Sequence, residues 1–404
     1  MKIKLLLRFV LWTIAFSILA INFALYSRTK FKQSTVTPYN LDVAHQLNYI
    51  QTKIKDGEAS RLQEQFPEGF IFFHAMYGLT WSNLIGHQPD SSKIFQHGLD
   101  EITKSVDSIF SPQGQKVFTK NLPLEYGAYY RGWSNYLLAQ KLLLTQKPKR
   151  DARDIQMYQQ NCQEIVNAMK NSESPFLESY QGNAWPADMM VAMASVHLAK
   201  ELLDTSYQSE VNYWLNKVKN NLDNYGLIPH YTQADGHIIE SARGSSQALI
   251  LSFLVEMDRD FALEQYQIFK RIFTESHFGL RALREYPADV GDQAGDIDSG
   301  PIIWNIGPVA TIVGEHTFGK FGDWNRFQET KNCLNVIGMS YTRKDQRKYL
   351  FGRAPMADVF LAWSNSIEPI DLELNVTKYW RWKFQCISLL LIGFLGFIIW
   401  KMSK

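Results

Sequence analysis

Two textures of hydrophobic and polar positions alternate along the chain. The first is amphipathic. In "DARDIQMYQQNCQEIVNAMK", residues 151–170, Ile155, Tyr158, Cys162, Ile165, Val166 and Met169 recur at three- and four-residue spacing with charges opposite. That is the stripe of a helix with one solvated side. Similar stripes predict helices over about 40–55, 92–110, 208–222, 259–275 and 323–340. The second texture is apolar on several sides and rich in Ala, Gly and Ser, and one such run follows each stripe. A helix of that kind has to be covered all round.

The junctions between the textures repeat. Small, aromatic or Pro-bearing segments open each apolar run: "PEGFIFFHAMYGLTW", "EYGAYYRGWSNYLLA", "GNAWPADMMVAMASV", "ARGSSQALILSFLVE", "DSGPIIWNIGPVATI" and "GRAPMADVFLAWSNS". With Phe70, Gly127, Trp185, Gly244, Gly300 and Pro355 as markers, the intervals are 57, 58, 59, 56 and 55 residues. A near-constant period of this length marks a repeat of one supersecondary unit. Six pairs, each a one-sided outer helix followed by a buried inner one, predict an all-α toroid of two concentric rings. Only "LIPHYT" and "HIIESAR", around Gly236, offer a small hairpin.

The ends differ from the middle. Residues 5–26 form an apolar run interrupted only by Arg8, and residues 384–400 form a second, with Tyr379, Trp380 and Trp382 before it and Trp400 at its end. Each suffices to cross a hydrocarbon core of roughly 30 Å, and the flanking aromatics suit the membrane interface. The predicted organisation is an anchor helix within 1–33, a toroid over 34–376, and a second span with a short tail over 377–404. Lys2, Lys4 and Arg8 are matched by Arg28, Lys30 and Lys32 across the first run, and Lys378, Arg381 and Lys383 by Lys401 and Lys404 across the second, so charge bias does not orient the spans. A basic start before an apolar run reads as an uncleaved signal anchor, which places the tails in the cytoplasm and the middle outside it, in a periplasm-like space of the cell membrane.

Net charge is +2, which gives no reason to expect a nucleic-acid partner. Three cysteines make no disulfide framework; Cys386 lies in the second span, and Cys162 and Cys333 read as buried thiols or at most one bridge. No Gly-x-Ser-x-Gly elbow, phosphate loop, dinucleotide fingerprint or His-Glu-x-x-His occurs, so neither a cofactor nor a metal is expected. His74, His197 and His316 each sit alone in a predicted helix. Loop 283–301 holds Glu285, Asp289, Asp292, Asp296 and Asp298, an acid set suited either to calcium or to pairing with Arg243, Arg281 and Arg284.

The six-fold pattern with its "AWPAD" and "DSGPIIWNIGP" junctions resembles the (α/α)6 toroids of the six-hairpin glycosidase-like superfamily, which includes polysaccharide lyases and linalool dehydratase-isomerase-type domains; the likeness covers roughly residues 40–370. It implies an active site at the mouth where the inner helices begin. Glu68, Glu125, Asp188, Arg243, Asp296, Asp298 and Asp358 all lie within a few residues of such a start. Acids also favour first helical turns for the dipole alone, and Pro186, Pro301 and Pro355 suit the first helical position, with Asn183 and Ser299 as caps. Capping does not account for the bulky aromatics at the same places: Tyr126, Tyr129, Tyr130 and Trp133 after Glu125, Trp185 before Asp188, Trp304 after Asp298, and His230 and Tyr231 before Arg243. Such aromatics either fill the space between rings or wall a ligand site.

Glycoside cleavage needs one protonated and one ionised carboxyl. Glu125, among tyrosines, is the expected proton donor, with Asp188 or Asp298 as ionised partner, and Tyr126, Tyr129, Trp133, Trp185, His230, Tyr231, Arg243, Trp304 and Asp358 as substrate contacts. The expected function is a membrane-anchored glycoside hydrolase or polysaccharide lyase. The alternatives are a non-catalytic glycan-binding scaffold, and a dehydratase or isomerase on a small alcohol. The last would depend on cysteines in the family it resembles, whereas Cys162 and Cys333 fall on outer helices.

Overall fold

The computed structural model describes residues 2–32, 37–291, 293–369 and 379–404. The expected boundaries at 33/34 and 376/377, Lys378 and Asp292 touch or lie outside the described residues. Fourteen long helices carry the fold among the described residues: α1 (Lys2–Ala24), α2 (Leu41–Lys55), α3 (Gly69–Ile85), α4 (Lys93–Ile109), α5 (Gly127–Leu144), α6 (Ala152–Lys170), α7 (Pro186–His197), α8 (Gln208–Lys219), α9 (Gly244–Met257), α10 (Arg259–Phe273), α11 (Pro308–Lys320), α12 (Trp324–Ile337), α13 (Pro355–Asn365) and α14 (Trp382–Lys401).

The odd-numbered helices α3 to α13 form the inner ring. Each packs on the next, and α13 returns to pack on α3, so the ring closes. The even-numbered helices α2 to α12 lie outside them. Five outer helices start on a side-chain cap: Asn40, Ser92, Asp151, Asp258 and Asp323 accept from the amides of Val43, Phe95, Arg153, Phe261 and Arg326. These caps satisfy amides that the helix itself leaves open. Inner helices have little need of amphipathy: every residue of α7 is buried. The resulting core is continuous, with Trp133, Tyr129, Phe73, Phe269 and Trp214 among its fully enclosed side chains.

Short strands decorate the junctions. Phe31–Lys32 (β1) pairs with Tyr39–Asn40 (β2). Asn183–Ala184 (β3), Tyr231–Gln233 (β4) and Ile238–Glu240 (β5) form a three-stranded antiparallel sheet that contains the hairpin around Gly236. Thr274–His277 (β6) pairs with Leu280–Leu283 (β7), and Tyr341–Arg343 (β8) with Gln346–Lys348 (β9).

The fifth inner helix corrects the sequence reading. It begins at Pro308, with Gly307 before it, rather than at Pro301, so Ser299 caps no helix. Instead the Ser299 hydroxyl accepts from the Asp296 amide at 2.9 Å and holds a turn. Asn183 lies in β3, and Trp185 takes the capping position of α7, with Pro186 first in the helix. Cys162 and Cys333 are buried free thiols.

Helices α1 and α14 are long and apolar enough to cross a membrane, and neither is a core helix: almost all of their apolar surface is exposed. They pack on one another, where Arg381 Nε donates to the Leu25 carbonyl at 2.9 Å. Below them, Lys331 Nζ on α12 donates to Thr29 Oγ1 at 2.8 Å and to Glu368 Oε2 at 2.5 Å, a buried ion pair. The Lys30 amide donates to Asp42 Oδ2 at 3.2 Å. The toroid is thus joined to the helix pair through defined contacts.

Candidate active site

A cavity of about 440 Å³ opens where the inner helices begin. Three carboxyl groups face it: Glu68 just before α3, Asp188 in the first turn of α7, and Asp298 in the segment leading to α11. Tyr129, Tyr180, Trp185 and His230 line it beside them, and Phe72, Leu249, Val309, Ile312, Met356 and Phe360 make much of its wall apolar.

Asp188 is held from the loop after α6, where Ser179 Oγ donates to its Oδ2 at 2.5 Å. Burial pushes the Asp188 carboxyl up to about 8; the Ser179 hydrogen bond opposes this, and the charges of Glu68 and Asp298 add to it. Asp298 is lifted to about 6 by burial, then by Glu68 and Asp296, against the pull of Arg243. Tyr180 donates to Glu68 Oε1, and Tyr129 donates to the Glu68 carbonyl at 3.0 Å. Burial, with Glu68 next, holds both phenols well above their ordinary range. His230 is pushed down to about 3 by burial and then by Arg243, so its imidazole is neutral. At neutral pH the cavity therefore presents a protonated carboxyl beside two further acids in aromatic surroundings.

Trp185 forms part of the wall, with Tyr231 stacked behind it at 5.0 Å between ring centres and fixed by a hydrogen bond to Asn183. Behind the wall lies Glu285, buried: Ser245, which lines the cavity, donates its Oγ to Glu285 Oε1 at 2.5 Å, and burial raises Glu285 to about 7.

Several expected contacts lie elsewhere. Glu125 is exposed and borders a separate groove with Gln160, Glu164 and Glu178. Tyr126 and Gly127 both take left-handed backbone, at φ 68° and 78°, and this reversal turns Glu125 outward and leaves Tyr126 against Lys120 and Arg131. Trp133 is fully buried between Phe72 and Phe253. Arg243 is occupied by Glu240 and Asp296 and lies over the Tyr286 ring. Asp358 points away from the cavity, accepting the Tyr349 amide at 2.8 Å while its neighbours Met356 and Ala357 line the wall. Trp304, 68% exposed, packs with Phe278 outside the mouth.

The acids of loop 283–301 are spoken for separately. Asp296 pairs with Arg243, Asp289 accepts from the Tyr225 hydroxyl at 2.9 Å, Glu285 is buried, and Asp298 faces the cavity. Among the described residues no three His, Cys, Asp or Glu side chains come together as a metal site. Arg281 and Arg284 pair with Glu329 and Glu275 instead.

Two orienting residues, Ser179 and Tyr180, have no helical periodicity to announce them; their loop folds against β3, where Tyr180 and Asn183 pair. Glu68 was legible as a junction acid: it immediately precedes α3, as Asp188 lies in the first turn of α7.

No family model matches the sequence, and no curated protein is similar to it. Seventeen chains of solved structures match. They include a sugar epimerase from a ruminal bacterium, at 10% identity over 75% of this chain and 88% of that one, with a TM-score of 0.46. An unsaturated glucuronyl hydrolase from Bacillus sp. GL1, responsible for the degradation of glycosaminoglycan, is 9% identical over 91% and 97% of the two chains, at a TM-score of 0.45. A D-mannose isomerase is 10% identical over 88% and 97%, at 0.46.

Proposed function

We propose that the protein is a membrane-anchored carbohydrate-active enzyme that cleaves a glycosidic bond in the toroid cavity. The observation that carries this reading is Asp188, a buried carboxyl raised to about 8 and set beside Glu68 and Asp298 in a cavity walled by Trp185 and two tyrosines. An acid that keeps its proton at neutral pH can protonate a leaving oxygen, and a second carboxylate can meet the charge that develops on the sugar. Asp188 takes the first role. Glu68, oriented by the Tyr180 hydroxyl, takes the second. Asp298 helps to hold the Asp188 proton by like charge.

The test is turnover of an oligosaccharide panel by the full-length protein, read as new reducing ends. Asp188→Asn and Glu68→Gln should each lower kcat by about 10²-fold or more while the melting profile stays cooperative. Full activity in both variants, or no turnover of any saccharide, would defeat the reading.

The apolar wall of Phe72, Leu249, Val309, Ile312, Met356 and Phe360 supports a second reading, acid-assisted dehydration of a small apolar alcohol with Asp188 protonating the departing hydroxyl. Alkene release that depends on Asp188, with no saccharide turnover, would select it. Cys162 and Cys333 are buried in outer helices, so they supply nothing to that chemistry.

A further inference from the structure

Helices α1 and α14 meet the toroid beside a hairpin that belongs to a mouth-side junction. The β6–β7 hairpin belongs to the junction between α10 and α11, on the mouth side, and its tip meets the first turn of α14: a Cβ built on Gly279 would lie 2.8 Å from Lys383 Cβ. Arg381, the residue just before α14, reaches the chain directly after α1 through the Leu25 carbonyl. From there the chain descends along α12, past Thr29 and Lys331, to Asp42 at the start of α2, which is the end of the ring away from the mouth.

Part of the rim of the mouth is apolar, beside the exposed acids Asp289 and Asp296. Phe278, Ile297, Ile303, Trp304 and Phe351 are all exposed large hydrophobics on mouth-side junctions. Phe278 and Trp304 pack edge to face at 5.9 Å, and His277 Nε2 lies 3.1 Å from the Trp304 carbonyl, which ties this lip to the hairpin touching α14. Ile297 adjoins Asp298 and lines the cavity, so the lip and the acid site are continuous. Exposed apolar clusters of this kind mark an interaction surface, and aromatic side chains at the depth where a spanning helix begins suit the headgroup region.

We infer that this lip is seated in the bilayer interface and that the substrate is an amphiphilic glycoconjugate, a saccharide on a hydrocarbon tail, which enters the cavity from the membrane. The inference rests on the carbohydrate reading and on α1 and α14 as spans. The apolar cavity wall then has an occupant: it receives the first carbons of the tail while Asp188, Glu68 and Asp298 meet the sugar.

Two measurements on the full-length chain in phosphatidylcholine/phosphatidylglycerol nanodiscs test it. With the exposed thiol removed by Cys386→Ser, a nitroxide at Trp304→Cys, and separately at Ile303→Cys, should show several-fold greater accessibility to oxygen relative to a water-soluble nickel chelate than one at Tyr213→Cys on the outer helix α8. Equal accessibility at lip and control overturns the inference. Secondly, disaccharides presented as hexadecyl glycosides in the discs should be turned over several-fold faster than the same sugars free, with the difference reduced in Trp304→Glu. Equal or preferential turnover of the free sugars overturns the substrate class while leaving the enzyme reading intact. A lipid-seated label with no Asp188-dependent turnover of any saccharide instead sinks the carbohydrate reading, and with it the tailed saccharide.

Discussion

Asp188 couples the proposed chemistry to the stability of the fold. Its folded-state value near 8 stands above the 3.8 of the free side chain, so the native chain holds a proton that the unfolded chain releases between those limits. The stabilisation is complete below pH 3.8 and is lost as pH rises through about 8. Asp298, Glu285, Glu315 and Asp358 are raised in the same direction by burial. The melting temperature should therefore fall from pH 5 to pH 8, and Asp188→Asn should flatten that fall, gaining more at pH 8 than at pH 5; parallel profiles for the two proteins would contradict the buried proton. In turnover, kcat/KM should decline as pH rises through about 8, because the proton donor is being emptied. Asp188 and Glu68 were legible as acids at helix starts. The outward turn of Glu125 was not, since a tyrosine in the left-handed region is rare and side-chain pattern carries no sign of it.

At the level of elements, the outer helices were the most readable: each begins within one residue of the predicted start, because a solvated back and a stripe coincide there, joined at five of the six by a capping residue. Ser92→Ala should cost about 1 kcal/mol by thermal or urea unfolding, the loss of one capping bond. The start of α11 was misplaced because Pro301 and Pro308 both suit a first turn, and the residues between them form the lip instead of a helix. Helix α5 shows how an element positions the site. The Ala128 amide donates to the Glu178 carbonyl at 2.9 Å, and Gly127, at φ 78°, would place a Cβ 2.4 Å from the Ser179 carbonyl oxygen. Gly127→Ala should therefore cost roughly 2–4 kcal/mol and shift Ser179 off Asp188. Gly182→Ala, left-handed at φ 79° with nothing nearby, carries the backbone strain alone, about 1 kcal/mol. Equal losses for the two would remove the packing argument.

Across the whole molecule, buried charge marks where the toroid meets the pair of terminal helices. Lys331 and Glu368 are each only 5% exposed, and Glu315 lies fully buried beside them, raised to about 8 by burial, with neither oxygen hydrogen-bonded among the described residues. Lys331→Met leaves Glu368 enclosed without its partner and should cost about 3–5 kcal/mol; the double change with Glu368→Gln should recover part of it, and a neutral single variant would show the pair to be solvated. The closed ring also has a seam. Helix α13 packs on α3, Asn365 Nδ2 donates to Gln46 Oε1 at 3.3 Å, and Asn83 Nδ2 donates to Ser366 Oγ at 2.8 Å, so the first hairpin finds its final neighbour 283 residues later. During synthesis the leading hairpin must wait, one flank bare, until the ribosome has delivered the last. A chain stalled anywhere between would be an open arc with greasy ends, a ready target for chaperones and quality-control proteases.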